Sequence, residues 1–189
     1  MRIAPALLVL LASSSAYAER GKGASFDFGY VRSRVAVTDS TALDANLARF
    51  GIRISTGGNF HFGAEVDDGP VEGTTSLPTR TVARTTGGEP YSGPLGGNSL
   101  GLKAYAGVHS VRGKLVFGGD AALGIRDTRV ESDAGMDVAG YKKQPMIELR
   151  ARAEMFLSDS WAIGAVASTD MLERRNVALA LTLSMNFIE

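Results

Sequence analysis

The sequence predicts an all-β fold, an eight-stranded antiparallel up-and-down transmembrane β-barrel, and three observations predict it. Eight segments alternate apolar with small or polar residues at a period of two, a pattern that a strand sorts onto two faces and a helix would smear around its circumference. The connections between them alternate between tight turns and longer polar stretches. Charges of both signs lie opposite the apolar faces and are absent from the apolar faces of segments two to eight.

Phe26, Phe28 and Tyr30 alternate with Ser25, Asp27 and Gly29, and the strand they predict runs to about residue 38. Its apolar face shifts between residues 32 and 35, where a bulge is expected. A second strand, residues 45–55, sets Ala48, Phe50, Ile52 and Ile54 against Arg49, Gly51 and Arg53. After a turn at residues 56–58, a third, residues 59–66, sets Phe60, Phe62, Ala64 and Val66 against His61, Gly63 and Glu65. From residue 67 to 98 Gly, Pro, Thr and Ser dominate, which predicts a long loop facing water. A fourth strand, residues 99–109, places Leu100, Leu102, Ala104, Ala106 and Val108 opposite Lys103, Tyr105 and His109. Beyond a turn at residues 110–113, Leu115, Phe117, Ala121, Leu123 and Ile125 of a fifth face away from Lys114, Asp120 and Arg126. Residues 127–144 make the second long connection, and Pro145 opens a sixth strand in which Ile147, Leu149, Ala151, Ala153, Met155 and Leu157 alternate with Glu148, Arg150, Arg152 and Glu154. A turn at residues 158–160 precedes a seventh, with Trp161, Ile163, Ala165 and Ala167 against Ala162, Gly164 and Ser168, and a charged loop over residues 170–176 precedes the eighth.

That last strand has Val177, Leu179, Leu181, Leu183, Met185 and Phe187 on one face and only Ala178, Ala180, Thr182, Ser184 and Asn186 on the other. Its length, about 11 residues, is what a tilted strand needs to cross a bilayer. The spacing of Leu181, Leu183, Met185 and Phe187 resembles the closing strand of bacterial outer-membrane β-barrels, although here Ile188 and Glu189 follow the aromatic. With the strand count, the resemblance extends to the small eight-stranded barrels of the OmpA and OmpX type, without a peptidoglycan-binding domain. It implies an outer-membrane location with both termini in the periplasm, contact with outer-membrane lipids and lipopolysaccharide, and recognition of the closing strand by the barrel-insertion machinery.

With 189 residues the chain is long enough for one domain with a sizeable core. Its 20 Lys and Arg balance 20 Asp and Glu, so no net field draws it to nucleic acid. The absence of cysteine removes disulfides, thiol nucleophiles and thiolate metal sites together. Arg2, the apolar run over residues 3–11 and Ala16-Tyr17-Ala18 predict a cleaved export signal over residues 1–18, leaving residues 19–189 as the barrel.

If the apolar faces meet lipid, Asp27, Arg49, Arg53, Glu65, Lys103, Asp120, Glu148, Arg150, Arg152 and Glu154 fill the interior, tolerable there only when paired. A soluble barrel with the faces reversed is the alternative, opposed by the even strand count and the unequal connections. Counting outward from the turns sets Arg49 opposite Glu65, Arg53 opposite His61 and Lys103 opposite Asp120. Phe26, Phe28, Phe60, Phe117, Trp161 and Phe187 fall near the short turns and termini and are expected to form an interfacial girdle, with Tyr30 and Phe50 as a thin opposite one.

The leading functional expectation is a non-enzymatic structural or binding protein whose long loops meet an extracellular ligand that the sequence does not name. A narrow pore and a lipopolysaccharide-modifying enzyme are the alternatives. His109 and Ser110 are adjacent in a strand and therefore point to opposite faces, which argues against a hydrolase. Asp67 and Asp68 read as a solvated loop start rather than a calcium site. Arg80 and Arg84 read as loop charges, with lipopolysaccharide phosphates as the other possibility, and the Gly57-Gly58, Gly87-Gly88 and Gly96-Gly97 pairs as turn or loop residues. No catalytic residue, metal or cofactor is expected.

Overall fold

The computed structural model describes residues 23–36, 42–56, 59–74, 93–132, 137–174 and 176–187. The expected export signal, Arg80, Arg84, the Gly57-Gly58 and Gly87-Gly88 pairs, Ile188 and Glu189 lie outside them. Eight strands follow one another: β1 (Gly23–Ala36), β2 (Ala42–Ser55), β3 (Phe60–Thr74), β4 (Pro94–Arg112), β5 (Leu115–Ser132), β6 (Asp137–Phe156), β7 (Trp161–Asp170) and β8 (Val177–Phe187). Each pairs antiparallel with its sequence neighbours, and β1 pairs with β8 from Ala24↔Phe187 to Arg34↔Val177, which closes the barrel and leaves no edge over that height.

The lower half, on the side of the short turns and both strand termini, carries an apolar belt outside. On β5 the outward residues Leu115, Phe117, Ala121, Leu123 and Ile125 are all exposed. Ten steps of about 3.3 Å at a tilt of about 40° give a belt height of about 25 Å, the span of a bilayer's hydrocarbon region. Phe26, Phe28, Phe60, Phe117, Trp161 and Phe187 are exposed toward the short-turn end of the belt, where Phe26 packs edge-on against Phe187 with ring centroids 5.5 Å apart.

The upper boundary is sharp. One outward step takes Tyr30 to Arg32, Ala48 to Asn46, Val66 to Asp68, Leu100 to Asn98, Ile125 to Asp127 and Pro145 to Lys143. At the same height the interior changes in the opposite sense, and Val31, Val35, Leu43, Leu47, Val71, Leu95 and Val130 are buried together inside. The strands therefore keep their phase while their chemistry inverts: below the boundary apolar out and charged in, above it polar out and apolar in.

This inversion corrects the first-strand expectation. The β1–β2 register runs unbroken from Gly23↔Ser55 to Ala36↔Ala42, so the shift at residues 32–35 is a change of surroundings and not a bulge. The irregularity is in β5–β6, between Arg129 and Glu131. The inversion also corrects the two long loops: β3, β4, β5 and β6 continue through much of residues 67–74, 94–98, 127–132 and 137–144 as paired strands. Gly96 and Gly97 thus lie within β4. Gly97 has φ 145°, and a Cβ there would collide with the Arg129 backbone, so this position excludes any larger residue.

The strands end at unequal heights, and side chains close the ladders where β7 and β8 stop. Asp170 Oδ1 accepts from Ile147 N of β6 at 3.4 Å and from Leu172 N at 2.9 Å. Asn176 Oδ1 accepts from Ala36 N of β1 at 2.7 Å, while its amide donates to Asp170 Oδ2 at 3.3 Å. One Asp–Asn pair thereby satisfies backbone donors on both flanking strands.

Candidate functional site: the closed interior and the polar rim

Strand alternation aims six cations, Arg49, Arg53, Lys103, Arg126, Arg150 and Arg152, and six carboxylates, Asp27, Glu65, Asp67, Asp120, Glu148 and Glu154, into the lower interior, all of them buried. Numbers match, so the tier is neutral among the described residues. At its top, Arg49 grips Asp67 with two bonds of 2.7 and 3.0 Å and lies 3.3 Å from Glu65. Lys103 Nζ reaches Asp67 at 2.6 Å, Glu65 at 3.2 Å and Glu148 at 3.3 Å, and Arg126 stands 3.7 Å from Glu148. Arg150 links downward, donating to Glu65 at 2.8 Å and lying 2.6 Å from Asp120, where its Nε–H is out of line for a hydrogen bond and the contact is ionic. At the bottom, Arg53 and Arg152 both donate to Glu154 Oε1, at 2.7 and 2.8 Å, and each lies 3.5 Å from Asp27. Every member touches at least one opposite charge, the condition under which such charges survive burial.

Tyr105 lies in the middle of this tier, its ring 4.5 Å below the Arg150 guanidinium carbon, a cation–π distance. It fits because Gly63 faces it: a Cβ on Gly63 would fall 2.6 Å from Tyr105 Cζ. The two histidines of the chain meet beneath, with His61 Nδ1 and His109 Nδ1 3.3 Å apart and His61 Nε2 3.4 Å from Asp120. His109 therefore faces His61, and Ser110 Oγ has no hydrogen-bond partner, so the adjacent pair forms no nucleophile–base contact.

All ten interior charges named from sequence lie in this tier, but the partners expected by counting from turns do not stand opposite one another. The register gives Arg49↔Asp67, Arg53↔Gly63 and Lys103↔Gly124, shifts of two residues in β2–β3 and four in β4–β5. The reason is turn length. Ser55 pairs with His61, and β4–β5 turns on Gly113 and Lys114 alone, with Gly113 at φ 62°. Arg49 meets Glu65 diagonally; Lys103 and Arg53 take other partners. Asp67, read as a loop residue, is buried and central to the network. Arg126 completes it, and strand parity was the signal for both. Tyr30 is the last belt residue below Arg32, its hydroxyl donating to Asn46 Oδ1 at the upper boundary, while Phe50 lies a step lower, packed on Phe28 with centroids 5.8 Å apart. The rest of the upper boundary on β1 to β6 is polar and charged.

Above the ionic tier the lumen is filled by an apolar cluster, with Val31, Val35, Leu43 and Leu47 at most 1% exposed. Among the described residues the interior is packed, charged below and largely apolar above, with an apolar belt outside the lower half and a polar surface outside the upper.

This is the architecture of the small eight-stranded outer-membrane β-barrels. No protein-family model matches the chain, and no curated protein matches it in sequence. Solved structures match the fold. Ail, the attachment invasion locus protein of Yersinia pestis, in complex with the heparin analogue sucrose octasulfate, superimposes with a TM-score of 0.55 at 14% identity, over 87% of this chain and 97% of that one. Neisserial surface protein A gives 0.53 at 8% identity over 89% and 98%, and the N-terminal barrel domain of Pseudomonas aeruginosa OprF gives 0.51 at 14% over 88% and 99%.

Proposed function

We propose that the chain is a non-enzymatic, non-conducting protein of the bacterial outer membrane, exported with loss of residues 1–18, anchored by its belt and presenting the upper ends of β3 to β6 outside. The observation that carries this reading is the double closure of the lumen, by a neutral ionic tier and an apolar tier in series. An ion crossing the barrel would have to displace paired charges and then shed its hydration among valines and leucines. In this reading Phe26, Phe28, Phe60, Phe117, Trp161 and Phe187 mark the periplasmic interface. The role is structural or adhesive, exercised by the polar surface above the belt. The sulfated analogue held by Ail makes anionic sugars the first ligand class to test.

Conductance across planar bilayers tests it. The refolded chain is expected to show no unitary current, and Arg49→Gln is expected to show none either, because the apolar tier stays closed. Stepwise currents that grow on neutralising Arg49 would establish a pore and overturn the reading.

A further inference from the structure

The histidine pair at the short-turn end of the interior has no part in the balance of charges above it. His61 on β3 and His109 on β4 both point inward and stand diagonally across the ladder, since His61 pairs with Gly107 and His109 lies two residues further on. Their rings meet nitrogen to nitrogen, Nδ1 to Nδ1 at 3.3 Å, with centroids 5.4 Å apart. Behind this contact His61 Nε2 lies 3.4 Å from Asp120 Oδ2. His61 reaches β5 across Gly107, which pairs with both His61 and Asp120 and has no side chain to intervene. Asp120, ion-paired with Arg150, only accepts, so it fixes the His61 proton on Nε2 and leaves the Nδ1 lone pair aimed at His109. In front, both rings line a cavity of about 40 Å³, bordered by Arg53, Ser55, Glu154 and Asn186. That volume holds about two or three waters.

We propose that His61 and His109 bind one zinc ion through their Nδ1 atoms, with water from the cavity in the remaining positions. Two imidazole nitrogens on a tetrahedral zinc, at bond lengths of about 2.05 Å, stand about 3.3 Å apart. A square-planar ion of similar bond length sets them about 2.9 or 4.1 Å apart, so the observed spacing selects zinc over divalent copper or nickel. Asp120 supplies the carboxylate that stands behind a ligating histidine, holding its tautomer and raising its basicity. Among the described residues no third imidazole or carboxylate completes a closed set, so half of the coordination sphere is left to the cavity and the ion is exchangeable. Arg53 and Arg152 line the same cavity and oppose a further cation, so the ion is held less tightly than at a closed structural site. The site follows from the strand register; only its side, the periplasm, rests on the membrane reading above.

The experiment is isothermal titration calorimetry with zinc chloride on the folded chain in detergent micelles, carrying no histidine tag and freed of metal by a chelator. One zinc per barrel is expected. Asp120→Asn is expected to weaken binding about tenfold, as loss of a carboxylate behind a ligand does. His61→Ala and His109→Ala each lose a ligand and are expected to weaken it further, and the double variant is expected to bind none. A heat-modifiable gel band checks that each variant folds, and His109→Gln, which keeps most of the volume, replaces an alanine variant that does not. Zinc is expected to raise the unfolding midpoint of the parent and not of the double variant. Cobalt in place of zinc is expected to give the intense visible bands of a tetrahedral ion, which a merely structural histidine pair does not produce. No binding heat, binding that survives the double substitution, or the weak spectrum of octahedral cobalt would overturn the site and leave a hydrogen bond between the two rings. A chain that stays soluble without detergent fails the membrane reading, while the titration still decides the site.

Discussion

Glu65 is the carboxylate on which the ionic tier converges. Its Oε1 lies 2.8 Å from Arg150, 3.2 Å from Lys103 and 3.3 Å from Arg49, and the residue is 5% exposed. Glu65→Gln keeps the shape and removes the charge, leaving six buried cations against five carboxylates. Breaking a buried pair typically costs about 3 to 5 kcal/mol. Each of the three cations retains another carboxylate, Asp67 for Arg49 and Lys103 and Asp120 for Arg150, so the lower end, about 3 kcal/mol, is expected here. Urea unfolding from phospholipid vesicles measures it, and Trp161 is the sole tryptophan and a built-in reporter at the short-turn end. Asp68→Asn on the exposed rim is the comparison and is expected to stay within about 0.5 kcal/mol. Adding Arg49→Gln to Glu65→Gln restores five against five and is expected to cost less than the sum of the single changes, with a coupling of about 1 to 3 kcal/mol. A Glu65→Gln protein within about 1 kcal/mol of the parent would refute the claim that the interior charges act as one balanced network.

Two further outcomes follow from the belt and the lumen. Ala121→Arg puts a charge near the middle of the belt and is expected to cost about 2 to 4 kcal/mol in vesicles, whereas Asn98→Arg on the rim is expected to change folding by less than about 1 kcal/mol; equal costs in the two would contradict the belt's upper edge. Gly63→Ala drives a methyl into the Ile52 carbonyl oxygen of β2 and the Tyr105 ring and is expected to lower stability by about 1 to 3 kcal/mol, a wild-type unfolding midpoint being the contrary result.

The strands that lie wholly in the belt were legible in the sequence, and those that leave it were not. β8 spans Val177–Phe187 as its alternation indicates, because both ends of that strand lie where the outside is apolar. β3 ends at Thr74 and not at residue 66, because beyond Val66 the apolar residues move to the inner face and Gly69, Pro70 and Gly73 thin the pattern. A reader of periodicity sees a pattern break there, while the backbone sees a continuous ladder with new surroundings on each side. The membership of the ionic tier followed from parity, which local sequence carries. The partners did not, since they depend on register, and register depends on turn geometry at Ser55 and Gly113 that residue types alone left ambiguous by two to four positions.

The inversion of the strand faces acts as a float line. Let the barrel sink by one two-residue step and Arg32, Asn46, Asp68, Asn98, Asp127 and Lys143 enter hydrocarbon together; let it rise and a ring of belt residues meets water. Near the interface each charged group resists by up to about 1 kcal/mol, small singly but summed over the six strands β1 to β6. Depth is thus held on six adjoining strands at once, β1 to β6, while β7 and β8 end within apolar surroundings. A protein so moored keeps its upper surface at a constant elevation above the lipid. That fixed elevation is what a surface needs if it is to meet something that arrives from outside.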